Sequence, residues 1–104
     1  MTEETDHIAE GAHPPPQQRA QRSFRQAVDR EYSALHTHES AAERHESTAN
    51  HYDNAAEGLD EAGAERLREL ARVERLRAQH ARARAEAVRR RLTREGLDPE
   101  NPDD

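Results

Sequence analysis

Residues 38–61 read HESAAERHESTANHYDNAAEGLDE, and two features of this stretch set the architecture. Written in sevens it nearly repeats: HESAAER, HESTANH, YDNAAEG, LDE. A seven-residue rhythm places the same column of side chains on one face of a helix. The stretch then runs into Glu57-Gly58-Leu59-Asp60, a tetrapeptide that recurs as Glu95-Gly96-Leu97-Asp98. At the second copy Gly96 suits a left-handed helix cap, Leu97 can fold back, and Pro99 prevents continuation. By analogy Gly58 and Leu59 stop a first helix, and Asp60 caps the amides of a second.

Working outward, no Pro or Gly occurs from Gln17 to Glu57, and Ala, Arg, Glu and Gln are frequent there. That composition favours a long helix. Residues 60–95 are also Pro-free and richer in Leu and Arg. The expected layout is a 1–16 disordered acidic tail ending in three prolines, helix 1 over 17–57, a turn at 58–60, helix 2 over 60–95, and a disordered acidic tail over 96–104. Helices of about 62 and 54 Å would result at 1.5 Å per residue. The fold class expected is all-α, a long antiparallel helical hairpin with an Ala-rich, coiled-coil-like seam. The competing architecture is a single long helix in a parallel or antiparallel coiled coil. The heptad runs through the turn, with Leu59 continuing the column of His38, His45 and Tyr52. Such a rod would carry Gly58 and Gly63 inside it, at about 1 kcal/mol each.

The seam can be read from the columns. In helix 1 one core column is Leu35, Ala42, Ala49 and Ala56, and the other is His38, His45 and Tyr52. A flanking column is Ala34, Ala41, Thr48 and Ala55. In helix 2 Leu67, Ala71, Ala78, Ala81, Ala85, Val88 and Leu92 keep spacings of three and four, interrupted only by Glu74. Leu70, Val73 and Leu76 widen that face. Alanine columns let two helices approach to about 8 Å. Folded antiparallel, Phe24 and Val28 are expected to close the open end against Val88 and Leu92. The apolar width around Leu70, Val73 and Leu76 has no partner within such a hairpin, which points to a homodimer.

The rhythm His-Glu-x-Ala-Ala-Glu, an aromatic, a Gly-Leu-Asp turn and an Ala/Arg/Glu helix resembles small actinobacterial helical-hairpin proteins with His/Ala-rich heptads. The resemblance covers residues 31–78 and implies a shape and a host, not an activity.

Composition narrows the function classes. Leu, Ile, Val and Phe number only 12 of 104 residues, so a large core is excluded and a narrow seam is the plausible folded state. There is no Cys, hence no disulfide, thiolate metal site or cysteine catalysis. All 16 basic residues are Arg, so lysine chemistry is excluded as well. No apolar run reaches the roughly 20 residues of a membrane span. The N-terminus lacks the basic and apolar regions of a signal peptide, and a cytoplasmic location is expected. No Gly-rich phosphate loop, G-x-S-x-G or HExxH is present, so an enzyme is not expected, nor a cofactor or small-molecule substrate.

Seven histidines invite a metal reading. A helical metal site wants ligands three or four residues apart. His36, His38, His45, His51 and His80 contain no such pair, so no metal site is expected. A His-dependent alternative is metal bound across a dimer or a pH response. Protonating all seven histidines moves the formal charge from −6 to +1. Stability would then fall between about pH 7.5 and 5 if the seam histidines are buried neutral.

Charge is segregated. Residues 59–95 sum to +4, while 96–104 sum to −4 and 1–16 to −4. Residues 75–94 hold eight Arg against one Glu. A hairpin would gather Arg22, Arg25, Arg82, Arg84, Arg89, Arg90, Arg91 and Arg94 at a basic pole able to meet an anionic partner. No base-reading constellation accompanies it, and aromatics for stacking are few. The leading functional expectation is therefore a non-enzymatic helical interaction or structural module that self-associates and presents a surface to an unidentified protein. Non-specific nucleic-acid binding through the Arg-rich pole is the alternative.

Overall fold

The computed structural model describes residues 14–102. The described chain is two helices, α1 over Pro16–Ala56 and α2 over Glu61–Arg94. The chain divides into two units, Met1–Arg30 and Glu31–Asp104. In the first, α1 begins at Pro16, where a missing N–H costs nothing and the fixed φ suits a helix start. The Arg19 amide donates to the Pro15 carbonyl at 3.0 Å. Apart from half-buried Val28, side chains from Gln17 to Arg30 are exposed. Phe24 is among them, 58% exposed.

The second unit is the antiparallel hairpin. The alternative of one uninterrupted helix is excluded, because the chain reverses between Ala56 and Glu61. The α1 end tightens through three successive bonds to the third residue back: Glu57 to Asn54, Gly58 to Ala55 and Leu59 to Ala56. These satisfy carbonyls that the helix end leaves orphaned. Gly58 was expected to be a left-handed cap like Gly96, yet Gly96 alone among the described glycines has positive φ, at 78°. Asp60 is the N-cap of α2, and its Oδ1 accepts from the Gly63 amide at 2.8 Å. The α2 end is a Schellman closure: Gly96 donates to Thr93 at 3.0 Å and Leu97 donates to Leu92 at 2.9 Å.

Residues 96–104 were expected to trail as a disordered tail, but the described part is fastened to the hairpin. Leu97 packs on the apolar cluster of Leu35, Ala85, Val88 and Leu92, beside Tyr32 and Ala34. The Tyr32 hydroxyl donates to the Asp98 carbonyl at 2.7 Å.

The core is thin. Eight of its eleven buried residues are alanine, the others being Leu35, Val88 and Leu92. A buried methyl contributes on the order of 0.8 kcal/mol, so the leucines and valine at the open end carry a disproportionate share. Every expected alanine of the seam is buried: Ala42, Ala49, Ala56, Ala71, Ala78, Ala81 and Ala85. Ala64 joins them, extending the Ala71–Ala78–Ala85 column one step back. His38, His45, Tyr52 and Leu67 are half-buried. Leu70 and Val73, expected in the seam, are exposed at 40% and 37%. They stand one position outside the buried columns, which pass through Ala71 and Glu74.

Candidate interaction surface

The two edges of the hairpin differ in chemistry. On one edge, Glu39, Glu46 and Asp53 recur every seven residues along α1, and Arg75, Arg82 and Arg89 recur every seven along α2. The antiparallel register brings the rows together. Arg75 Nη2 lies 2.6 Å from Asp53 Oδ2, and Arg82 Nη2 lies 3.0 Å from Glu46 Oε2. Arg89 pairs with Glu39 and also with Glu100. Arg82 donates a hydrogen bond to Glu46, and with Arg75 it holds the Glu46 carboxyl below its ordinary range against the opposing effect of burial. Nearby, Arg91 Nε lies 3.1 Å from Glu31 Oε1.

These contacts change the reading of the basic pole. Six of the eight arginines in 75–94 have a carboxylate oxygen within 4.0 Å: Arg75, Arg77, Arg82, Arg89, Arg90 and Arg91. Among the described residues Arg84 and Arg94 have none. Arg22 and Arg25 are exposed in the first unit. The positive stretch of α2 is thus largely matched by carboxylates of α1, of α2 itself and of Glu100. A shallow groove of about 530 Å³ runs over this edge, with Ala42 and Ala85 on its floor and Glu39, Glu43, Glu86, Arg82 and Arg89 around it.

Within the seam lies one polar pair. Glu74 stands in the α2 core column between Leu67 and Ala81, with its side chain only 12% exposed. His45 Nδ1 lies 2.7 Å from Glu74 Oε1; with the carboxylate as acceptor, the imidazole N–H donates. Arg77 Nη1 reaches the other oxygen at 2.6 Å. The His45 hydrogen bond lowers the Glu74 pKa, burial opposes it, and Arg77 lowers it further. A lowered carboxyl contributes stability above its unfolded value, and that contribution is lost as pH falls through the lowered folded value. A half-buried polar pair in a helix seam also favours one register, since a slip separates His45 from Glu74.

Among the described residues no group of three or more His, Asp or Glu could hold a metal ion. No described helix is long and apolar enough to cross a membrane. The other edge of the hairpin carries the small α1 column Ala34, Ala41, Thr48 and Ala55. On α2, Leu70, Val73 and Leu76 are all exposed beyond the seam, Leu76 by 52%. The described chain therefore buries mostly alanines inside and leaves Leu70, Val73 and Leu76 outside, as it does Phe24 and Leu59. Comparison with protein-family models, curated proteins and solved structures gives no match.

The pairing of His45 with Glu74 was within reach of the sequence. Counting back from the Gly58 turn sets the two core columns opposite each other, and Glu74 was the one polar interruption of its column. The arginine row was equally visible as a seven-residue spacing, but block charge sums hid it.

Proposed function

We propose that this chain is a non-enzymatic helical interaction module: an antiparallel coiled coil that self-associates and presents a protein-binding surface. The observation that carries this reading is the exposure of Leu70, Val73 and Leu76 on consecutive turns of α2. A hairpin whose own core is mostly alanine gains little from intrachain burial. Covering these three side chains supplies apolar burial that the hairpin alone lacks. The matched arginine row favours this reading over nucleic-acid binding, because a phosphate would have to displace carboxylates already at hydrogen-bond distance. A cytoplasmic setting accords with the Cys-free composition.

The test is mass in solution. Light scattering behind a sizing column at micromolar concentration is expected to give a dimer. A monomer at that concentration would contradict self-association. Duplex DNA at moderate salt is expected to leave the elution position unchanged, and a salt-sensitive shift would favour the Arg-rich surface instead.

A further inference from the structure

Resting on that reading of self-association, we infer that the partner on the apolar α2 face is a second copy of this chain, docked antiparallel about a two-fold axis at Val73. A symmetric contact pairs each residue with one equally far from the axis in the other direction. Leu70 and Leu76 are each three residues from Val73, roughly 60° to either side of it around the helix. The axis therefore sets Val73 against the partner's Val73, and Leu70 against the partner's Leu76 on both sides. Each of these side chains is exposed in the hairpin, so no intrachain contact has to open.

The charges outside the apolar centre fit the same axis. Glu69 and Arg77 are each four residues from Val73, so each Glu69 meets the partner's Arg77, twice per dimer. In the single hairpin Glu69 is held by Arg72 and Arg77 by Glu74, with the remaining donors and acceptors turned to solvent. A parallel arrangement would instead set Glu69 against the partner's Glu69 and Arg77 against the partner's Arg77. Like charges facing one another disfavour that alternative. Seven residues out, Arg66 meets the partner's His80, which adds no attraction. The assembly is a four-helix bundle with the α2 helices at the centre.

Single-cysteine variants of the full chain test this, because the native sequence contains no cysteine. Val73→Cys is expected to form a disulfide-linked dimer on mild oxidation, since a residue on the axis faces its own copy. Ser47→Cys, on the exposed face of α1, is expected to stay monomeric on denaturing gels. A mixture of Leu70→Cys and Leu76→Cys chains is expected to yield mainly the mixed dimer; preferential linkage of Leu70→Cys to itself overturns the antiparallel axis. Val73→Asp puts two carboxylates on the axis and is expected to weaken dimerisation by more than about tenfold with unchanged helical circular dichroism. A Val73→Asp dimer as tight as the parent overturns the proposed face while leaving self-association standing. A parent chain that is monomeric overturns both.

Discussion

The same four residues, Glu-Gly-Leu-Asp, end both helices, yet they fold differently. At 95–98 the glycine is left-handed, the leucine packs on the core, and the aspartate carbonyl is held by Tyr32. At 57–60 the glycine keeps negative φ, the leucine is 51% exposed, and the aspartate caps the next helix. The cause lies five residues before each leucine. A Schellman closure is stabilised by apolar contact between the residue after the glycine and one in the last helical turn. Before Leu97 that partner is Leu92, fully buried; before Leu59 it is Asn54, exposed. The residues after each aspartate differ as well. Glu61, Ala62 and Gly63 can start a helix, whereas Pro99 cannot supply an amide. A local motif thus sets the options, and the residues it can reach choose among them.

The largest expected effect comes from removing the anchor. Leu92→Ala empties the best-buried large side chain and should cost about 3 kcal/mol in urea unfolding. Asn54→Ala, its counterpart at the first copy, should change stability by less than about 0.5 kcal/mol. Equal effects would mean that the two closures are energetically alike.

Next come the glycines, with opposite signs. Gly96→Ala forces a Cβ into left-handed backbone and should destabilise by about 1 kcal/mol. Gly58→Ala meets only open space near the Ala55 carbonyl and should stabilise by about 0.5 kcal/mol, by restricting the unfolded chain. Loss of stability at both positions would show that Gly58 needs a freedom the fold does not give it reason to need.

The aspartates give a smaller contrast. Asp60→Ala removes an N-cap and should cost about 1 kcal/mol. Asp98→Ala leaves the carbonyl that Tyr32 grips and loses only a bond from the Glu100 amide at 2.9 Å, so its cost should be about half as large or less. The smallest effect is electrostatic and concerns the glutamate of the second copy. A hydrogen bond with Glu31, burial, and repulsion from Glu31 all raise the Glu95 pKa, while Arg91 and Arg94 oppose them. A raised carboxyl contributes stability below its unfolded value and loses it as pH rises through the folded value. Glu95→Gln should therefore raise Tm slightly at pH 7, and the gain should disappear below about pH 4. A gain that persists in acid would locate the effect elsewhere than in ionisation.

Much of the hairpin was legible because heptad columns and caps are local signals. The alanine seam, the Asp60 cap and the left-handed Gly96 can all be read from residues within one or two turns. Three features required the register between the helices. Leu35 packs with Val88 and Leu92; Glu74 accepts from His45; and the Arg75–Arg82–Arg89 row meets Asp53, Glu46 and Glu39. Each depends on where the chain reverses to within about one turn. A one-turn displacement along α2 would separate His45 from Glu74 and break the arginine row. The exposed face of α2 was legible in part. Its residues could be read as surplus to the seam, but their full exposure arises because the buried columns run through Ala71 and Glu74.

The most direct test of the hairpin itself is a distance. Thr37 and Glu86 are both exposed and stand at similar height on α1 and α2. Spin labels on cysteines at these positions, in protein diluted with unlabelled chain, report their separation by pulsed electron resonance. The hairpin predicts helix backbones about 10 Å apart, with a label distance of the same order. An unbroken helix would place the labels roughly 74 Å apart at 1.5 Å per residue, and that result would contradict the chain reversal on which the seam, the caps and the dimer face all depend.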